Sequence, residues 1–182
     1  MAVPTSEDLQ NEGLRLFQEG LYDEAALRFN EALEHFAEEG RELEAGEMLN
    51  NIGIIRRKQS RWDEALEVIE EAKRIFERLE DKSRMAQALG NIGGIYASMG
   101  RSDDAILAWQ SAVLLFEELG DRQNQGETLL ALGMSLFKSG QRQAGLAAYQ
   151  SGLTLVEKPT TMQQVTRTLL TIQARILGMG GG

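Results

Sequence analysis

The chain has 182 residues, 42% of them hydrophobic and 26% charged, with a formal net charge of −9, a single histidine and no cysteine. That composition is enough for a packed core and excludes disulfides, thiolate metal sites, a cysteine nucleophile and any serine–histidine relay not built on His35, so no enzyme chemistry, metal or cofactor is expected. The acidic balance disfavours nucleic acid and anionic membranes as partners, and MAVPTSEDLQ lacks the basic residues and apolar run of a secretion signal, which makes a cytoplasmic protein without a membrane span the expectation.

In chain order, the first two helical patterns end at Gly20 and Gly40, the next two at Ser60 and Glu80, the fifth and sixth at Gly100 and Gly120, and the seventh at Gly140. The breaks follow a repeat. A shift of 40 residues superimposes Gly13, Gly53, Gly93 and Gly133; Ala25, Ala65, Ala105 and Gly145; Phe29, Ile69, Trp109 and Tyr149; Ala32, Ala72, Ala112 and Gly152; and Phe36, Phe76, Phe116 and Val156. Two helices per period make each unit a helical hairpin, with repeats at about 5–40, 41–80, 81–120 and 121–158. The stretch GNIGGIYASMGRSDDA, residues 90–105, places Gly90, Gly93 and Gly94 among helically spaced Ile92, Ile95, Tyr96 and Met99, each at roughly 1 kcal/mol against alanine. The column through Gly93 predicts the compensation: two helix backbones approach closely where a larger side chain would hold them apart. Glycine at the breaks adopts the left-handed conformation easily, and residues such as Ser102, Asp103 and Asp121 are expected to cap the next helix with a side-chain oxygen.

After Pro159 the pattern returns for half a period. Residues 162–175 align with 122–135, matching Gln163 to Gln123, Thr168 to Thr128 and Leu170 to Leu130, with Gln173 in place of the glycine. A helix over 160–177 is expected to cap the array through Met162, Val165, Leu169, Ile172 and Ile176, leaving 178–182 as a flexible glycine-rich tail. Residues 1–177 are read as one domain.

The motif of leucine or isoleucine, Gly, two residues and an aromatic, followed by Gly-x-aromatic-Asp-Glu-Ala, occurs in NIGGIYASMGRSDDA, EGLRLFQEGLYDEA and SRWDEA. On these residues the chain resembles the tetratricopeptide repeats. Its period is six residues longer than the common 34, which is similar to the repeats of Pins/LGN spindle-orientation adaptors, kinesin light chains and bacterial Rap-type regulators. The resemblance implies an all-α, right-handed solenoid of four hairpins plus a C-terminal capping helix, and binding of an extended peptide in its concave groove.

Two residues before each signature glycine stand Asn11, Asn51, Asn91 and, in the fourth repeat, Ala131. Asparagine is a poor mid-helix residue, but its amide both donates and accepts, as an extended peptide backbone requires. In the longer-period relatives this position contacts the bound peptide's main chain, and the resemblance extends that role to Asn11, Asn51 and Asn91; alternatively they bond the next hairpin and hold the stack. The groove is further expected to carry Asn50, Ile54, Arg57 and Lys58 in the second repeat, Gly94 and Ser98 in the third, and Met134, Phe137 and Lys138 in the fourth. Its basic residues either receive a carboxylate or, with Arg56, complement a helix C-terminus. The carboxylate-clamp subtype, which places Asn just after the signature glycine, is excluded by Leu14, Ile54, Gly94 and Met134.

Trp109 and Tyr149 fall on the Phe29 column and Trp62 on the Tyr22 column, which predicts core packing; His35, aligned with Ile75, Leu115 and Leu155, should be partly buried. Residues 1–40 hold ten acids against two bases, whereas 121–182 hold three against six. That polarity orients a basic ligand segment toward the first repeat, drives head-to-tail contacts between copies, or is only a solvated surface. The expected partner is a protein or peptide, bound by a monomer or weak homo-oligomer acting as an adaptor; the alternative is a self-assembling structural scaffold.

Overall fold

The computed structural model describes residues 4–157 and 159–176, with side chains to residue 168. Every regular element among them is helical: α1 Ser6–Gln18, α2 Tyr22–Glu38, α3 Glu42–Lys58, α4 Trp62–Arg78, α5 Lys82–Ser98, α6 Ser102–Leu119, α7 Arg122–Lys138, α8 Arg142–Leu155 and α9 Thr161–Ile176.

All the breaks read from the sequence become left-handed turns. Gly20, Gly40, Gly100, Gly120 and Gly140 have φ between 69° and 88°, and Ser60 and Glu80 adopt the same region at 61° and 56° despite their side chains. At each one two backbone amides turn back onto carbonyls of the last helical turn, as when Gly20 N–H donates to Phe17 O and Leu21 N–H to Leu16 O at 3.1 and 3.0 Å. Helix starts follow expectation only in part, as at Asp121. Side-chain oxygens cap α1, α5 and α7 from Thr5, Asp81 and Asp121, but Leu21, Arg41, Arg61 and Gln141 cap nothing with their side chains. Arginine holds the first turn differently, by a bond to the carboxylate three residues on: Arg41 to Glu44, Arg61 to Glu64 and Arg101 to Asp104.

The chain forms two compact units, divided within α6 between Ala108 and Trp109. In the first, α1 pairs with α2 and α3 with α4, α2 packs on α3, α4 on α5, and α3 also touches α5. Phe29, Phe36, Ile52, Ile55, Ile69, Phe76 and Ile95 are almost fully buried there, each contributing roughly 1.5–3 kcal/mol through burial. A Cβ on Gly13 would stand 2.7 Å from ring carbons of Phe29, and one on Gly53 would stand 2.2 Å from Ile69 Cγ1. The column glycines here make room for a partner side chain rather than for a partner backbone, which corrects the expectation of backbone contact in these two hairpins. Ion pairs join Glu7 to Arg41 and Glu47 to Arg84 across repeats, and Glu42 to Arg78 within the second hairpin.

In the second unit the backbones do meet. A Cβ on Gly133 would lie 2.8 Å from both Gly145 O and Tyr149 N, and one on Gly152 would lie 2.7 Å from Gly126 O. Leu130, Leu153 and Val156 form the core of this hairpin, with Tyr149 packed against it. α9 touches α8, yet Met162 and Val165 are 73% and 50% exposed, so these two do not cover the fourth hairpin as expected. The side chains of Leu169, Ile172 and Ile176, and the tail 178–182, lie outside the described residues.

Candidate functional site

α3 runs between α1 and α5 in the first unit, and a partly buried stripe along it carries the candidate residues Glu47, Asn50, Asn51, Ile54 and Arg57 at helical spacing, with Lys58 exposed at its end. Three rungs cross from α3 to α5. Arg84 donates to Glu47 Oε1 at 2.5 Å; Asn91 Nδ2 donates to Asn50 Oδ1 at 3.0 Å; and the guanidinium of Arg57 lies on Gly94, where a Cβ would stand 2.1 Å from Nη1.

Around these rungs the surface is hollowed twice. A polar cavity of about 210 Å³ is lined by Gln10, Glu47, Asn50, Asn51, Arg84 and Gln87, with Phe76 at its floor. A smaller apolar one, about 70 Å³, lies among Leu14, Phe17, Phe29, Asn51 and Ile54. Asn51 belongs to both, so its amide stands at the border between a polar and an apolar recess.

The three ladder asparagines are not equivalent. Asn11 is exposed and Asn51 partly buried, and among the described residues neither amide has an intramolecular hydrogen-bond partner. Asn91 is partly buried and tied to Asn50 across the repeats. Ser98 is exposed, its hydroxyl donating to Gly94 O at 2.8 Å, and Lys58 is exposed. Met134, Phe137 and Lys138 lie in the second unit, all exposed, and line an apolar recess of about 330 Å³ with Leu146 and Tyr149.

Sequence reasoning passed over Gln10, Glu47, Arg84 and Gln87. The available signal was helical spacing: Gln10 and Asn50 each precede a ladder asparagine by one residue, and Glu47 and Gln87 precede Asn51 and Asn91 by four. His35 is partly buried and Trp109 buried, as expected. Trp62 is 37% exposed instead of buried. Its counterpart Tyr22 leans on Phe17, ring centroids 5.6 Å apart, whereas the residue equivalent to Phe17 in the second repeat is Arg57, which turns toward Gly94.

The class of molecule is thus a repeat array of helical hairpins whose first helices present polar and apolar recesses, the architecture of a protein-binding scaffold. The chain belongs to the tetratricopeptide repeat family, whose model matches residues 44–108 and, overlapping them, 84–158. No curated protein sequence matches it. Among solved structures, BtubC (BKLC) from P. vanneervenii is similar at a TM-score of 0.76 and 23% identity, covering 82% of this chain and 62% of that one. The apo form of RapI gives 0.81 at 15%, covering 96% and 50%, and aspartyl phosphate phosphatase F from Bacillus subtilis gives 0.83 at 15%, covering 96% and 48%. The chain therefore spans about half to three-fifths of the length of these proteins, and at such identities the likeness is one of fold. No helix among the described residues is long and apolar enough to cross a membrane.

Proposed function

We propose that this protein is a non-catalytic adaptor that binds an extended peptide segment of a partner protein along α1, α3 and α5, in the cytoplasm. The observation that carries the reading is the state of Asn11 and Asn51: two amides on first helices, 40 residues apart in sequence, with no intramolecular partner among the described residues. An amide so placed offers one donor and one acceptor to a peptide backbone. The recesses on either side of Asn51 suit alternating polar and apolar side chains of such a segment. In the second unit, Met134 and Phe137 offer a further apolar contact surface beside Lys138.

The test is binding of a fluorescent library of extended peptides to the wild type and to single and triple Asn→Ala variants, with melting midpoints measured alongside. Asn11→Ala and Asn51→Ala should each weaken binding by about 0.5–1.5 kcal/mol without lowering the midpoint. Asn91→Ala should lower both, because it also breaks the bond to Asn50. Unaltered binding in the triple variant together with a lowered midpoint would leave the asparagines a stacking role only.

A further inference from the structure

Two positions break the repeat's own rules, and they meet in space. The column through Phe17, Arg57, Ala97 and Phe137 is apolar except at Arg57, and the column through Leu14, Ile54, Gly94 and Met134 is large and apolar except at Gly94. Arg57 reaches from α3 into the space that the missing side chain at Gly94 leaves open on α5.

The surroundings of this guanidinium set it apart. Arg28, Arg41, Arg61, Arg84 and Arg101 pair with carboxylates; Arg74, Arg122 and Arg142 have no ion pair among the described residues but are exposed, and the partly buried Arg56 lacks one too, so it is the seat on Gly94 that distinguishes Arg57. Arg57 is partly buried, and among the described residues no carboxylate lies within ion-pair distance of it. Burial alone pulls it below the usual arginine value, with no charged neighbour offsetting the loss of hydration. It stays protonated at neutral pH all the same. No side-chain nitrogen or oxygen among the described residues is both fully buried and unpaired, so the guanidinium keeps a face toward solvent. A planar donor fork, partly stripped of water and open on one side, is complementary to a carboxylate. Its single charge matches a monoanion; a phosphate dianion would bring a second charge that it cannot neutralise.

We infer that Arg57, seated on Gly94, is the receptor for one aspartate or glutamate side chain of the bound peptide and sets its specificity at that position. The inference rests on the peptide-binding reading but makes a separate claim about the ligand. The neighbouring Asn50–Asn91 rung places it beside the asparagine ladder, so the acidic residue belongs to the same extended segment.

The test uses the full chain with 15N-labelled arginine, titrated with N-acetylglutamate N-methylamide or its glutamine counterpart while the Arg57 Nε–Hε resonance is followed. These probes are too short to span the ladder, so the response reports on Arg57 apart from the backbone reading. The expected result is a saturable shift at Arg57 with the glutamate probe and an affinity for the glutamine probe lower by about tenfold or more. Gly94→Ala should abolish that preference without lowering the melting midpoint, because the added methyl displaces only the end of a flexible side chain and alanine favours the helix. Arg57→Gln, read with paired peptide pools carrying Glu or Gln at one position, should bind both pools alike. No shift at Arg57, equal responses to the two probes, an equal shift at Arg74, or a Glu preference surviving in Arg57→Gln would each overturn the assignment. Failure of the asparagine variants to weaken peptide binding would overturn the ladder and leave the Arg57 result standing.

Discussion

The α3/α4 hairpin and the α7/α8 hairpin share a repeat register but solve the same packing problem differently. In the first, Gly53 faces the Ile69 side chain, and Ala65 and Ala72 keep the helices a methyl group apart. In the second, Gly145 and Gly152 replace those alanines, and the helices close until Gly133 faces the backbone of Gly145 and Tyr149. Closing the gap leaves less interior for large residues. Tyr149 is only partly buried where Ile69 is fully so, and Met134 and Phe137 on α7 stand 54% exposed. The two hairpins thus differ both in how closely their backbones approach and in how much large apolar side chain they leave exposed.

Substitution at the contact glycines should separate the two modes most clearly. Gly145→Ala sets a methyl group 2.8 Å from Gly133 O and Phe137 N, which are backbone atoms that cannot step aside, and should cost about 1–3 kcal/mol or more in chemical denaturation. Trimming Phe137 to alanine should not rescue it. Gly13→Ala meets the ring of Phe29 instead, so the double variant Gly13→Ala/Phe29→Leu should be less destabilised than the sum of the single changes by at least about 0.5 kcal/mol. Strict additivity in that pair would break the distinction between side-chain and backbone contact.

A smaller effect is expected at the turns. Ser60 and Glu80, both in the first unit, hold a left-handed conformation that costs a residue with a Cβ about 1–2 kcal/mol. Ser60→Gly and Glu80→Gly should each raise stability by about 0.5–1 kcal/mol once the greater freedom of glycine in the unfolded chain is subtracted. Gly140→Ala, at φ 88° in the second unit, should lower it by a similar amount. Denaturation midpoints that move the other way would remove backbone strain as the explanation.

The smallest effect should come from pH. Hydrogen bonds from Arg41 hold the Glu7 and Glu44 carboxyls below their ordinary value of 4.5, and Arg61 does the same for Glu64. A depressed folded-state pKa contributes stability that is present above the unfolded value and lost as pH falls through the folded one. The melting midpoint should therefore be level from pH 7 to 5 and decline below about 4.5, with a shallower decline in Arg41→Gln. An unchanged slope in that variant would show that these exposed pairs contribute nothing measurable.

Much of the fold was legible in the order of residues because its causes are local or periodic. The seven left-handed turns follow from glycine, or from Ser60 and Glu80 in the glycine register, at breaks spaced about 20 residues apart. The buried columns follow from large and small residues recurring every 40. The way the column glycines pack was not legible, because Gly13 and Gly133 occupy the same column and differ only in what faces them, a phenylalanine ring or another helix's backbone. The candidate site divides along the same line. A linear pattern identifies Asn11, Asn51 and Asn91 as a series, since one-dimensional periodicity places them on one side of successive helices. That Asn91 is bonded to Asn50 while Asn11 and Asn51 are not, and that Arg57 turns away from the Trp62 side to rest on Gly94, depends on residues 37 to 41 positions apart meeting across two helices. Tertiary packing alone decides such contacts, because a side chain settles where a neighbouring helix leaves it volume and a partner, and neither is written in its own repeat.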